Sequence, residues 1–423
     1  MNLKHVEDLR RSLEATLAEA SRDNSNKPEP RYWYPLSLAT YGIEEILQAV
    51  DSMCSFRTTM WSKTAEFERA FAESIPVGEA IMVNSGSSAD LLIAFAMANP
   101  GDGRLRPGDE VLVPAVTWPT HVWSLLMAGL EVHFVDVDPA TLGMRPDAAE
   151  AAVNERTRAV FPAHLMGNPC DLGGLQAVCG RHDLVLLEDC CESLGATYRG
   201  RQVGSFGLAS SFSFFFSHHI TTMEGGMVCT SDQDLSDTFR LLRAHGWARN
   251  LRYRQVGAPA DIDPRYAFVN WGFNVRPTEL QAGFGLMQLE KAAAFHSQRI
   301  DNAEYFVKAI GNLGGVLRPM VVTRESTCSW FAVPLLTTAD APFSRGELTA
   351  YLEANGVETR PVVAGNLVRQ PVTLGLPGIR WDDLHGADTI HEQGFYVGVH
   401  PVHERTNLDR LAELIGTFVE AHG

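Results

Sequence analysis

Residues 210–231 read SSFSFFFSHHITTMEGGMVCTS. An aromatic run ends at two histidines, His218 and His219, and the glycine pair Gly225-Gly226 then leads into a second apolar run. Short apolar runs rich in aromatic and β-branched residues and bounded by turn residues are typical of buried strands. The stretch therefore predicts two consecutive strands, with the histidines beyond the end of the first.

The same kind of run occurs five times upstream, and amphipathic helical stretches such as SADLLIAFAMA and THVWSLLMAGL lie between the early runs. Strands that alternate with helices predict an α/β fold, with a mostly parallel seven-stranded sheet sandwiched by helices. The closer spacing of the last strands predicts an antiparallel member. The seven predicted strands are AIMVNS (80–85), EVLVPAV (110–116), EVHFVDV (131–137), AVFPAHL (159–165), LVLLED (184–189), SSFSFFF (210–216) and MVCTS (227–231).

The chain divides into three predicted parts. Residues 1–33 form an N-terminal arm with a helix and a polar tail, and residues 34–290 form the large domain. A long helical pattern from about 277 to 313 indicates a helix that spans from the large domain to a small C-terminal α+β domain. This third part, 291–423, contains SWFAVPLLT, SRGELTAYLEANG, VETRPVV and a final helix near 405–421.

Composition excludes several classes of protein. The 35 basic and 51 acidic side chains give a net charge of −16, which disfavours a nucleic-acid or anionic-membrane binder. The seven cysteines include no C-x-x-C pair, so no zinc or other metal site is expected. The N-terminus lacks the apolar core of a signal peptide, and no apolar run reaches the ~18 residues of a membrane span. We expect a cytoplasmic protein.

Two local motifs indicate a ligand site. Residues 84–88, NSGSS, join a predicted strand to a helix, where backbone N–H groups bind a phosphate or simply form an N-cap. Glu188 and Asp189 end a predicted parallel strand, so we expect both carboxylates to face the crevice where α/β proteins bind ligands. There an aspartate can keep a pyridine nitrogen protonated, although a helix N-cap is an equal alternative.

Histidines and arginines supply the remaining candidates. His218 and His219 are suited to proton transfer, although paired histidines are also common as structural residues or as half of a metal site. Five arginines lie between 240 and 254, a local reversal of charge that suits a diphosphate. For Arg240 and Arg243 a solvated helix face is the favoured interpretation.

Together these motifs resemble the DegT/DnrJ/EryC1/StrS sugar aminotransferases. The resemblance rests on NSGSSA, EDCCES, SFFFSHHITTMEGG, RAHGWARNL (243–251), GFNVRP (272–277) and TRPVVAGN (359–366), and covers the chain from about Tyr34. It implies the aspartate-aminotransferase-like fold, fold type I of the pyridoxal phosphate enzymes. Ordinary members carry a Schiff-base lysine where this chain has His218, and the chain's five lysines all lie outside residues 209–231. Histidine at this position is the mark of the family's sugar 3-dehydratase branch.

The resemblance assigns the cofactor pyridoxal 5'-phosphate, or its aminated form pyridoxamine 5'-phosphate, held without a covalent bond. Asn274 would serve the neighbouring subunit's cofactor, which implies a homodimer with shared active sites. The predicted cofactor-binding residues are Gly86, Ser87 and Ser213 at the phosphate, Trp118 against the pyridine ring, Asp189 at its nitrogen, Glu192 near its phenolic oxygen, and Asn274.

The resemblance also implies the reaction. L-Glutamate would aminate the cofactor, and a GDP-linked 4-keto-6-deoxy hexose would lose its 3-hydroxyl. His218 would remove a proton and then protonate the departing hydroxyl, and His245 would position the substrate or the donor. Arg249, Arg252 and Arg276 are the predicted substrate-binding residues.

Three alternatives stay open. The first is an aminotransferase or dehydratase for another nucleotide- or nucleoside-linked sugar. The second is a non-catalytic regulator that binds pyridoxal phosphate, although the retained Asp189, Glu192, Ser213 and Trp118 argue against a dead site. The third, an iron–sulfur dehydrase with a reductase partner, is disfavoured because no cysteine follows His245-Gly246-Trp247 until Cys328.

Overall fold

The structure is a computed structural model that describes residues 3–22, 31–101, 103–257, 259–311, 313 and 315–422. The predicted polar tail of the arm is SRDNSNKPEP (21–30), of which residues 23–30 lie outside these residues. Among the described residues the strands are β1 (Glu79–Val83), β2 (Glu110–Pro114), β3 (Glu131–Val135), β4 (Thr157–Val160), β5 (Val185–Asp189), β6 (Thr197–Tyr198), β7 (Arg201–Gln202), β8 (Ala209–Ser213), β9 (Gly226–Thr230), β10 (Leu317–Pro319), β11 (Ser326–Thr327), β12 (Val333–Thr337), β13 (Arg360–Pro361), β14 (Ile379–Trp381) and β15 (Gly394–Val397).

The α-helices of the described residues include three that precede β1, the first of these in the arm, and a last one that follows β15. They are α1 (Leu3–Arg22), α2 (Ile43–Cys54), α3 (Ser62–Ser74), α4 (Gly86–Met97), α5 (Pro119–Met127), α6 (Pro146–Ala152), α7 (Leu172–His182), α8 (Gln233–Arg243), α9 (Glu279–Ile310), α10 (Arg345–Ala354), α11 (His385–Gln393) and α12 (Arg405–His422). None of the described helices is both long and apolar enough to cross a membrane.

The large sheet confirms the predicted α/β fold. Its strand order is β1-β9-β8-β5-β4-β2-β3-β14, and all seven predicted strands belong to it. Neighbours from β8 to β14 pair in parallel, whereas β9 is antiparallel to both β1 and β8. The predicted antiparallel member is therefore β9. The eighth strand, β14, comes from the C-terminal part of the chain and was not predicted.

Both faces of this sheet are covered, as a parallel sheet requires. Along β1, Ile81 and Val83 pack in the core that includes α4, while Ala80 and Met82 pack in the core that includes Phe67 of α3. Successive side chains of a strand point to opposite faces, which is why a run of consecutive apolar residues is needed here.

The predicted spanning helix is confirmed as α9. It has 32 residues and begins with a capping box in which Thr278 and Gln281 exchange hydrogen bonds. At 1.5 Å per residue it extends for roughly 48 Å. Beyond it, the antiparallel sheet β10-β12-β15-β13 and helices α10 to α12 form the predicted α+β part. The domain boundaries at 33/34 and 290/291 stay predictions.

Candidate active site

A cavity of about 610 Å³ opens at the carboxyl ends of the parallel strands, between the large sheet and the C-terminal sheet. Its lining brings together residues that are far apart in the sequence, and most of the predicted site residues are among them. The predicted residues that line it are Gly86, Ser87, Trp118, Asp189, Glu192, Ser213 and His218.

The start of α4 forms one wall of the cavity. Ser85 is the N-cap, and its hydroxyl accepts a hydrogen bond from the N–H of Ser88 at 3.0 Å. A Cβ atom on Gly86 would lie only 2.6 Å from the Cβ of Ser213, so the close approach of α4 to β8 requires glycine. The N-cap interpretation is confirmed by Ser85, whereas phosphate binding by Gly86 and Ser87, which line the cavity at the start of α4, stays a prediction.

Glu188 does not face the crevice, so that part of the prediction is wrong. Its carboxylate accepts hydrogen bonds from the N–H groups of Gly204 at 2.8 Å and of Phe206 and Gly207 at 2.7 Å. Asp189 points the other way because successive side chains of a strand alternate. Glu188 therefore holds the loop at 204–207, and of these two carboxylates only that of Asp189 lines the cavity.

Asp189 is buried and has few polar neighbours. Its Oδ1 accepts the N–H of Cys191 at 2.9 Å, and its Oδ2 lies 3.8 Å from Nδ1 of His121. Burial lowers the pKa of His121, so this imidazole stays neutral. The carboxylate of Asp189 is thus free to pair with a cationic group of a ligand.

His218 also lines the cavity, where it is half-buried beside the rings of Phe215 and Phe331. The imidazole of His218 and the ring of Phe331 pack edge to face, with their centroids 5.2 Å apart. The Nδ1 atom of His218 has no hydrogen-bond partner among the described residues. Burial, and then the charge of Arg299, lower the pKa of His218 to about 3. Arg299 lies on α9, and its Nη1 donates to the carbonyl of Phe331 at 2.9 Å. A neutral imidazole in this position can accept a proton.

Glu192 and Trp118 complete the part of the cavity that the sequence predicted. Burial, and then the charge of Asp189, raise the pKa of Glu192 to about 7, although its Oε2 accepts the N–H of Met166 at 2.9 Å. Trp118 is the N-cap of α5 and leaves its ring exposed at the cavity.

The interpretation of Arg240 and Arg243 as a solvated face is wrong. Both side chains are buried, with only 2% and 4% of their area exposed. Arg240 pairs with Glu79 at 2.6 Å and Arg243 with Glu68 at 2.5 Å. These acids come from β1 and α3, so the two ion pairs join α8 to both elements.

The other five predicted residues do not line the cavity. His245 and Asn274 lie on adjoining segments, where the N–H of His245 donates to Phe273 and Ala244 pairs with Asn274. Their roles stay predictions. The three arginines have partners within the chain: Arg276 donates to Asn274 at 3.0 Å, Arg249 stacks on Trp247, and Arg252 pairs with Glu79 at 3.0 Å.

The cavity residues that were not predicted include Asp90 and Arg360. Asp90 follows Gly86 by one helical turn, so the helical period could have indicated it. Arg360 comes from the TRPVVAGN motif, which marked the family without indicating that its arginine reaches the cavity. The Arg360 guanidinium donates to Glu358 at 2.7 Å and to the carbonyl of Thr359 at 2.8 Å.

The cavity fits a phosphorylated pyridine. The N-terminus of α4, where Gly86 has no side chain, suits a phosphate. The buried carboxylate of Asp189 suits a ring nitrogen, and the exposed indole of Trp118 offers a stacking face. These three features lie on α4, on β5 and at the start of α5.

Comparisons with known proteins agree with this geometry. The family model described as the DegT/DnrJ/EryC1/StrS aminotransferase family matches residues 41–416. The chain is 35% identical over 389 residues to GDP-4-keto-6-deoxy-D-mannose 3-dehydratase of Escherichia coli O55:H7, covering 90% of this chain and 99% of that protein. It is 36% identical over 384 residues to dTDP-4-dehydro-2,6-dideoxy-D-glucose 3-dehydratase of Saccharopolyspora spinosa, covering 88% and 83%.

A solved structure also shares the fold. The E. coli GDP-4-keto-6-deoxy-D-mannose-3-dehydratase with bound hydrated PLP superimposes with a TM-score of 0.87 at 35% identity. The match covers 91% of this chain and 99% of that one.

Proposed function

This chain belongs to the DegT/DnrJ/EryC1/StrS aminotransferase family, and on that premise we propose that it is a PLP-dependent nucleotide-sugar 3-dehydratase. One observation carries the proposal: a half-buried histidine, His218, lines the cavity at the position where ordinary members have a lysine. The two relatives described above are both named 3-dehydratases, in agreement with this reading.

The residues of the cavity would hold pyridoxal or pyridoxamine phosphate without a covalent bond. Gly86 and Ser87 would bind the phosphate at the start of α4, with the hydroxyl of Ser213 beside them. Asp189 would pair with the ring nitrogen, and Trp118 would stack on the ring. When bound, this cofactor supplies an electron sink that allows a carbon–oxygen bond next to a carbonyl-derived centre to break.

His218 would move the protons of the reaction. Burial keeps its imidazole neutral, so a ring nitrogen can accept a proton at physiological pH. Once protonated in an apolar setting, the imidazolium is a strong acid and can donate the proton to the departing 3-hydroxyl of the sugar. A lysine amine could instead capture the cofactor aldehyde and favour transamination.

The substrate and the amino donor follow from the same comparison. We assign L-glutamate as the donor, and the guanidinium of Arg360 at the cavity offers a site for one of its carboxylates. We assign a GDP-linked 4-keto-6-deoxy hexose as the substrate. The relatives named for GDP- and dTDP-linked sugars are 35% and 36% identical to this chain, so the nucleotide is an outcome of the test below.

A second copy of the chain would complete the site. Asn274 and the segment around His245 lie outside the cavity of their own chain, close to large exposed apolar side chains of Tyr266, Phe268 and Trp271. Such side chains favour a protein interface, which supports the homodimer with shared active sites. The seven free cysteines fit a reducing compartment and support a cytoplasmic location.

The experiment uses the purified full-length protein with PLP. Glutamate should shift the absorbance from the aldehyde form of the cofactor to the amine form. A panel of GDP- and dTDP-linked 4-keto sugars is then added, and product masses are measured. Loss of oxygen supports the 3-dehydratase, and gain of nitrogen would instead show an aminotransferase. Absence of any spectral change would contradict the proposal and favour a non-catalytic regulator.

A further inference from the structure

Asp90 is a second carboxyl group in the cavity, and the predicted chemistry assigns it no role. It lies four residues after Gly86 in α4 and lines the same cavity. Only 2% of the residue is exposed, and its Oδ1 has no hydrogen-bond partner among the described residues. A buried carboxyl oxygen without a partner is costly in the ionised form.

Asp189 is its nearest acidic neighbour. Oxygen atoms of Asp90 and Asp189 and the sulfur of Cys191 all lie within 4.8 Å of one another. The titratable groups facing Asp90 are Asp189 and Cys191 from the end of β5 and, next to Asp189, His121 from α5. The hydroxyl of Ser211 approaches from β8.

None of these neighbours supplies a positive charge. Burial lowers the pKa of His121 and raises the pKa of Cys191, so both stay neutral. Among the described residues, neither Asp90 nor Asp189 forms an ion pair with lysine or arginine. Two carboxylates that share a buried site disfavour each other's charge, so the pair retains one proton at a pH where separate carboxyls would be ionised.

The hydrogen bonds decide which member keeps the proton. Asp189 accepts the N–H of Cys191 at 2.9 Å, whereas Oδ1 of Asp90 accepts no hydrogen bond among the described residues. Burial and the charge of Asp189 raise the pKa of Asp90 by more than the hydroxyl of Ser211 lowers it. Burial, and then the charge of Asp189, raise the pKa of Asp90 well above its usual range.

We propose that Asp90 is protonated at neutral pH and is a positioning residue for Asp189, which remains the single anion at the end of the cavity. The protonation of Asp90 does not depend on a bound cofactor or substrate. Its role toward the ring nitrogen rests on the proposed function. A neutral Asp90 lets one carboxylate pair with one protonated ring nitrogen, so that binding leaves no uncompensated charge in the buried site.

The first test compares the unfolding of cofactor-free wild type and Asp90→Asn in urea between pH 5 and 8. Because the pKa of Asp90 is raised on folding, the wild type has this stability in full only below about pH 3.9 and loses it as pH rises. The amide of Asp90→Asn does not titrate. The ratio of the folding equilibrium constant of the variant to that of the wild type should therefore rise about tenfold per pH unit, until the pH reaches the pKa of Asp90 in the folded protein.

Asp90→Ala is the second variant. It removes the same proton but leaves a small cavity, so its difference from wild type should change with pH in parallel with that of Asp90→Asn. The infrared spectrum of the cofactor-free protein at pH 7 should show a protonated aspartic acid band that both variants lack. A pH-independent difference in stability, or the absence of the band, overturns the proposal.

The affinity for PLP at pH 7 tests the positioning role. Asp90→Asn should keep the dissociation constant within about threefold of wild type, whereas Asp189→Asn should raise it by tenfold or more. Equal weakening by both variants would show that Asp90 contributes charge and would overturn the role. Failure of the wild type to bind PLP, with the pH dependence of stability intact, would instead overturn the proposed function and leave the proton on Asp90 in place.

Discussion

The carboxyl end of β5 and the arginine-rich segment from 240 to 254 are both densely charged, but they differ in whether these charges are paired with opposite charges within the chain. At the end of β5, Asp189 faces the cavity, and among the described residues it forms no ion pair with lysine or arginine. Asp90 lies beside Asp189. In the arginine segment, Arg240 and Arg243 are each neutralised by a glutamate from another element. Uncompensated charge marks the site that binds a ligand, whereas compensated charge joins elements of the fold.

The arginine segment is also firmly attached to the molecule. Asp237, fully buried in α8, accepts hydrogen bonds from the N–H groups of Arg252 at 2.8 Å, Tyr253 at 2.9 Å and Arg254 at 2.7 Å. The hydroxyl of Tyr253 also donates to Glu79. These contacts hold the backbone of 252–254 in place, whereas the exposed side chain of Arg249 stacks on Trp247.

The largest expected effect is at the cavity, for His218→Lys. Loss of the general acid–base should slow sugar deoxygenation by about 10²–10⁴-fold, measured in single turnovers with the aminated cofactor. The new amine should capture PLP covalently, detected by mass after borohydride reduction. His218→Asn serves as the matched control, since it should lose deoxygenation without the covalent capture. Wild-type rates in His218→Lys would contradict the assigned role.

The next largest effect is expected in the arginine-rich segment, where buried charges are paired. Arg243→Met should lower the free energy of unfolding by about 3–5 kcal/mol because the buried carboxylate of Glu68 loses its counter-charge. Urea denaturation measures this change. The double variant Glu68→Gln with Arg243→Met should recover part of the loss. A cost below about 1 kcal/mol for Arg243→Met would show that the pair is not buried in solution.

The raised pKa of Glu192 predicts that the free energy of unfolding depends on pH. Its pKa is raised to about 7 in the folded protein, so the stability tied to its proton is complete below about pH 4.3 and is lost as pH rises to 7. The free energy of unfolding of Glu192→Gln should gain on wild type by about 1.4 kcal/mol per pH unit across that window and then level off. Denaturation of the cofactor-free proteins at pH 5, 6, 7 and 8 measures it, and a gain that continues above pH 8 would contradict the assignment.

The smallest effect on stability is expected for Arg249→Ala. This exposed side chain stacks on Trp247, so its loss should cost less than about 1 kcal/mol. If it binds the diphosphate of the substrate, KM for the nucleotide sugar should rise about tenfold with kcat unchanged. Arg265→Ala, which removes another exposed arginine from the same region, is the control. Unchanged KM in Arg249→Ala would remove it from the substrate site.

How much could be read from the sequence differs from one residue to the next. Asp189 and His218 were found because Asp189 ends β5 and His218 follows β8, and the carboxyl ends of parallel strands meet at one edge of the sheet. Glu188 was misread because alternation along a strand says that neighbours differ without saying which one faces the crevice. Arg243 was misread because its partner, Glu68, is 175 residues away.

The sequence by itself determined the strand pattern, the family and the replacement of the Schiff-base lysine by His218, because these depend on residue type and on spacing along the chain. Only the tertiary structure decided which charges are buried together. Burial and Arg299 of α9 lower the pKa of His218, whereas burial and Asp189 of β5 raise the pKa of Asp90. Desolvation and charge–charge interaction act through space, so the proton positions of this cavity follow from the packing of distant segments.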